Sequence, residues 1–317
     1  MTWFESLFGF PETTYEETRA RFVFEGDELR SIANGRSFAA GRFTTPSLRE
    51  LRAVTSAKRG SGRVRISHEV VGDALELHAL AENVGALFQV ASQLNCLEFA
   101  GPEEIPENGV TDYASDPTQG PACSLAAAAA TVVRNYFVDV DGARGQTASR
   151  QLNLLAGIQS RIGDSLIDVR NGYTFSDEAR LALAANAIAK HDRDELMGDL
   201  RIGLHEDVEV TFARRFEPPS RPQRVSQAFC SALSCGYASG SLAAWQPIAT
   251  LVLDAAYEAT LLAAAARGTK RVWLTLLGAG AFGNELAWIE NAITRAASRA
   301  DGHDLEVIVA HFRRRHF

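Results

Sequence analysis

Apolar residues follow two rhythms along this chain. Residues 63–71 (RVRISHEVV) alternate as a half-buried strand does, with Val64, Ile66 and Val70 as inward positions. Residues 87–92 (LFQVAS), 207–212 (DVEVTF), 225–233 and 305–310 are further segments of strand length. Val272, Trp273, Leu274, Leu276 and Leu277 make a continuous apolar run too short for a helix. Helical signals lie between. Residues 47–53 follow Pro46 with Ser47 as the cap, and residues 176–193 are capped by Ser176 or Asp177. Residues 122–135 are alanine-rich, and the unbroken alanines at 126–130 give a smooth side for close packing. A long helix begins at Pro247 and runs to Ala266, and Leu286, Ile289 and Ile293 mark another.

The remainder reads as connection. Residues 1–20 are a polar helical or irregular segment, and residues 21–24 are a strand candidate. Residues 35–46 are turn-rich, Asn171-Gly172 is a turn, and residues 216–224 and 237–245 are loops. Residues 101–121 form a long loop, a kind usually functional in compact domains. The closing order of strand, helix, strand, glycine turn, helix and strand argues for an α/β layered fold. With no repeat and no linker, the simplest organisation is an N-terminal extension (1–60) packed on one domain (61–317).

Composition narrows the function. The chain has 317 residues, 46% hydrophobic and 22% charged, as in an ordinary globular protein. A net charge of −7 argues against broad contact with a nucleic-acid backbone. Cys96, Cys123, Cys230 and Cys235 are scattered without a C-x-x-C, and the histidines lack ligand spacing, so no metal is expected. Free buried thiols fit a reducing, cytoplasmic setting. The opening MTWFESLFGFPETTYEE lacks the features of a signal peptide. Residues 248–266 carry Asp254, Tyr257 and Glu258 and suit a buried helix better than a membrane span. Oligomeric state is not legible.

The most informative chemistry lies in residues 272–295, VWLTLLGAGAFGNELAWIENAITR. Gly278, Gly280 and Gly283, with Ala279, Ala281 and Phe282 between them, separate a strand from a helix. Such a turn brings backbone amides and a positive helix end to a ligand, usually a phosphate. The lysine of a P-loop is missing: Asn284 and Glu285 follow instead. The glycines match G-x-G-x-x-G formally, yet lie near the C-terminal end and not in a first βαβ unit. A strand-to-helix turn needing glycine for geometry alone stays open as an alternative.

These residues resemble the macrodomains, modules that bind ADP-ribose, over roughly residues 60–312. The resemblance implies a three-layer sandwich with a central mixed sheet. It also implies that Gly278, Gly280, Ala281, Phe282 and Gly283 surround a diphosphate, with Phe282 against a ribose and Asn284 fixing the loop. The stretch FQVASQLNCLEFAGPEEIPENGVTDYASDPTQGP looks like a diverged first ligand loop. It puts Gln93 or Asn95 at the distal-ribose asparagine and Asp112 at the position of a catalytic acid. The family's run of glycines is absent here; residues 116–121 (DPTQGP) replace it and are most similar to the arginine-specific, MavL-like hydrolase branch. Gln119 and Gly120 would then offer a side chain and an amide to phosphate.

Hydrolysis of an ADP-ribosyl bond passes through an oxocarbenium-like state that a carboxylate can stabilise. Asp112 and Asp116 are the first candidates and Glu98 the third; each alternatively serves as a solvated loop acid or a cap. Gln89, inside an apolar strand, is either satisfied in the core or turned to ligand. The expectation is an ADP-ribosyl hydrolase acting on ADP-ribosylated protein, with ADP-ribose as ligand or product and no cofactor. A non-catalytic ADP-ribose reader and an NAD-using α/β enzyme are the competing readings.

Overall fold

The computed structural model of the protein describes residues 1–214 and 216–317. Its centre is a seven-stranded mixed sheet in the order Arg42–Thr44, Gly203–Glu209, Arg224–Cys230, Leu87–Ala91, Arg271–Leu274, Leu305–Phe312, Val64–Val71. From Arg224–Cys230 onward every pairing is parallel, and the first two pairings are antiparallel. Side-chain alternation divides the core. Val272, Leu274, Val307 and Val309 enter the apolar cluster built on helices Leu242–Arg267 and Leu286–Ala300. Trp273 and Ile308 enter a second cluster with Ala127 and Ala130. Apolar packing therefore lies on both faces of a mixed α/β fold.

Several elements differ from their sequence expectation. The alanine segment is two helices, Gln119–Ala126 and Ala128–Tyr136, broken at Ala127. The chain beyond Gly203–Glu209 enters the break: Thr211 N donates to the Ala126 carbonyl (2.8 Å), and Ala128 N donates to Thr211 Oγ1 (2.9 Å). That departure also explains why the strand expected at 207–212 ends at Glu209; it starts earlier, at Gly203, where it pairs with Phe229. The long helix starts at Leu242, before Pro247, because Ser241 caps it by accepting from Ala244 N. This helix is long and apolar enough to cross a membrane by composition, but 89% of that window is buried inside the fold. The helix expected at 176–193 is Glu178–Ile188, capped by Asp177, and a second cap at Asp192 starts Arg193–Met197.

Three patterns misled more seriously. Val64–Val71 is an edge strand, so Ile66 and Val70 are 41% and 57% exposed; Val64 alone of the three packs on the core. Residues 35–46 hold two short strands, Ser37–Ala39 and Arg42–Thr44, the latter recruited to the sheet by Gly203–Glu209. The first residues are helical, one of the two expected forms, but not polar throughout: helices Trp3–Phe8 and Tyr15–Ala20 bury Trp3, Phe4, Phe8 and Tyr15. Helix Leu48–Ser56, with a full capping box at Ser47 and Glu50, packs on Leu242–Arg267. Residues 42–56 are thus continuous with the main body.

Candidate functional site

Three loops leave the C-terminal ends of adjacent parallel strands: residues 92–118, 231–241 and 275–285. A crevice at such strand ends is where open α/β sheets take ligands. Arg271–Leu274 follows Leu87–Ala91 only as far as Phe88 and then diverges. Gln119 covers the edge left free: Ala91 N donates to its Oε1 and its Nε2 donates to the Gln89 carbonyl, both at 2.9 Å.

The glycine loop is pinned at both ends. Tyr257 Oη donates to the Thr275 carbonyl (2.6 Å) and accepts from Leu277 N (2.9 Å). Asn284 Nδ2 donates to the Leu233 carbonyl (2.8 Å), and Gly236 N donates to the Phe282 carbonyl (3.0 Å), tying two of the loops together. Gly278 has φ +74, and a Cβ there would overlap Ala232 and the Asn284 side chain. Between the pins, the amides of Gly280, Ala281 and Phe282 donate to no group among the described residues. Free amides ahead of a helix, here Leu286–Ala300, are a feature that can hold an anion. Phe282 completes an aromatic group, 5.5 Å from Tyr173 and 5.9 Å from Tyr237 between ring centroids.

Glu98 is the chemically unusual group. Its side chain is 2% exposed, and Oε1 has no hydrogen-bond partner among the described residues. Its backbone N–H donates to Tyr113 Oη (2.9 Å). Gly120 leaves room for the carboxyl: any Cβ there would overlap Glu98 Oε2 and the Ala91 carbonyl. Burial holds the Glu98 pKa well above the ordinary carboxylate value; the Arg134 guanidinium opposes this and the Asp116 charge adds to it. Asp116 accepts from Thr118 N (2.8 Å), turning the chain into helix Gln119–Ala126, and its charge reaches both Glu98 and Tyr173. Asp112 is exposed on the one-turn helix Thr111–Ser115.

Three expected ligand contacts are engaged elsewhere. Gln89 faces the core, donating to Thr260 Oγ1 (2.8 Å) and accepting from Thr275 N (3.3 Å). Gln93 brackets Phe99, bonding both its carbonyl and its N–H. Asn95 donates to Gln151 Oε1 and accepts from Leu97 N. Gln93 and Asn95 satisfy the buried backbone of the loop at 93–99, while Gln89 ties helix Leu242–Arg267 to the start of the glycine loop.

The sequence reading missed Arg134. It is fully buried, donates to the Cys96 carbonyl (3.1 Å), Ser124 Oγ (2.8 Å) and Thr131 Oγ1 (2.9 Å), and lies 3.7 Å above the Phe229 ring. No carboxylate pairs with it among the described residues. The available signal was an arginine at the end of a helix otherwise rich in alanine and valine. Tyr113, Tyr173 and Tyr257 carried no local signal, because their partners lie in distant segments.

No family model matches the chain, and no curated protein matches it. Among solved structures, it is similar to poly(ADP-ribose) glycohydrolase from Deinococcus radiodurans in complex with ADP-ribose. The identity is 15%, the coverage 87% of this chain and 88% of that chain, and the TM-score 0.48. A second likeness is to poly(ADP-ribose) glycohydrolase from Thermomonospora curvata bound to the inhibitor ADP-HPD. It has 14% identity, coverage of 94% and 90%, and a TM-score of 0.47. Similarity this distant assigns no activity.

Proposed function

We propose that the protein is an ADP-ribosyl hydrolase of macrodomain-like, three-layer architecture, acting in the cytoplasm on ADP-ribosylated protein and releasing ADP-ribose from arginine. The observation that carries this reading is a buried carboxyl with an unpartnered oxygen, its pKa raised by burial, on a loop at the same end of the sheet as three amides without partners among the described residues. The amides at 280–282 would hold the diphosphate, and Phe282 with Tyr173 and Tyr237 would carry a ribose. Protonated Glu98 would donate to the guanidine nitrogen as the carbon–nitrogen bond at the anomeric carbon breaks. Asp116 would stabilise the oxocarbenium-like state and take a proton from the water that bonds to that carbon. The products balance as ADP-ribose and free arginine. On this reading Glu98 leads the acids, and exposed Asp112 serves the loop.

The test is incubation with arginine-ADP-ribosylated protein, following ADP-ribose release. Release by the wild type that is lost in Glu98→Gln supports the reading. Tight ADP-ribose binding without turnover would make the protein a reader instead, and preference for intact NAD would remove both.

A further inference from the structure

The segment between helices Trp3–Phe8 and Tyr15–Ala20 reaches far across the sequence. Glu12 accepts from Val110 N with both oxygens (3.0 and 2.9 Å) and from Thr111 N (2.7 Å), while Tyr136 Oη donates to it (2.7 Å). Trp3 Nε1 donates to the Thr111 carbonyl (2.7 Å). Residues 110 and 111 are therefore gripped by amide and by carbonyl. Gly109, at φ +82, admits the carboxylate only because it lacks a side chain. Two residues beyond the grip, Tyr113 accepts the hydrogen bond from Glu98 N. Packing repeats the connection: Trp3, Phe4 and Phe8 share one apolar cluster with Leu97 and Phe99, the two neighbours of Glu98, and with Val110 and Tyr113.

We propose that the N-terminal segment is a positioning strap: Glu12 and Trp3 fix residues 109–111, and Tyr113 passes that constraint to Glu98. The inference rests on the reading of Glu98 as the acid of the reaction. Neither Glu12 nor Tyr113 touches substrate. Both act by holding the acid within the narrow range of positions from which it can protonate a leaving group. The alternative is a strap that only adds stability.

The experiment uses the full chain with Glu12→Gln, Tyr113→Phe and the double variant. Turnover, KM, the Kd for ADP-ribose and amide exchange at residues 98 and 110–113 are measured per folded molecule. Each single variant is expected to lower kcat roughly 10- to 100-fold, with KM and Kd within about twofold, as misplacement of one group does. Exchange at residue 98 becomes faster, and the double variant is little worse than the singles because both act along one path. Additive losses, an unchanged kcat, or a parallel rise in KM would overturn the strap. Tyr113→Phe removes one oxygen and stands in if Glu12→Gln does not fold. If the wild type turns over no ADP-ribosylated substrate, the functional reading fails separately. Amide exchange then decides the strap: faster exchange at residue 98 in Glu12→Gln upholds it and unchanged exchange defeats it.

Discussion

Tyr257 and Leu277 share a hydrogen bond that fixes where the glycine loop begins: Leu277 N donates to the phenol at 2.9 Å. The same phenol donates to Thr275, so one side chain from the core helix closes two buried backbone groups. Tyr257→Phe removes both bonds and leaves the Thr275 carbonyl and Leu277 N only each other (3.1 Å), which costs about 0.5–1.5 kcal/mol. A lower Tm together with weaker ADP-ribose binding by titration is the expected result. Weakened stability with unchanged affinity would separate this brace from the cradle.

Gly120 and Gly280 make a matched pair. A methyl at Gly120 must displace the Glu98 carboxyl or the Ala91 carbonyl, whereas open space surrounds the Cβ position of Gly280. Gly120→Ala is expected to lose at least about 100-fold in turnover, the scale of one positioned acid–base group. Gly280→Ala should fold like the wild type by thermal melt. Equal turnover in the two variants would contradict the placement of Glu98.

Glu98 also leaves a mark on stability. Its folded pKa is raised above the unfolded value, chiefly by burial. The folded state therefore binds the extra proton, and this group's contribution is fully present below the unfolded pKa and lost as pH rises through the folded one. Glu98→Gln is expected to flatten that decline in denaturant titrations at increasing pH. A variant that tracks the wild type at every pH would show the carboxyl to be ionised.

The opposite sign is expected at Glu258. Burial raises its pKa, but hydrogen bonds and charges from Arg52 (2.6 Å) and Arg295 (2.8 Å) outweigh that and hold it below the ordinary value. Its stabilisation is present above the unfolded pKa and lost as pH falls through the folded one. Glu258→Gln should cost about 3 kcal/mol near neutrality, as breaking a buried pair does. The gap from the wild type should close in acid unfolding curves.

What could be read in the sequence was whatever depended on neighbours in the chain. The Val272–Leu277 run, the glycine turn and the helix after it are local, and so are the Ser47 cap and the Asn171-Gly172 turn. Strand Arg42–Thr44 has no pattern of its own and exists because Gly203–Glu209 pairs with it. The break at Ala127 needs Thr211 from across the fold. The acids were recognised as a group, but their ranking could not be, since burial separates Glu98 from Asp112 and burial is a tertiary property. Gln93 and Asn95 looked available, and Gln89 stayed open between core and ligand, for the same reason: partners such as Phe99, Gln151 and Thr260 meet them only on folding.

The central claim is most directly tested by a crystal structure of the full chain with ADP-ribose bound. The account predicts the diphosphate within hydrogen-bonding distance of the amides of Gly280, Ala281 and Phe282, and the distal anomeric carbon beside Glu98. A diphosphate held elsewhere, or a ribose remote from Glu98, would contradict it.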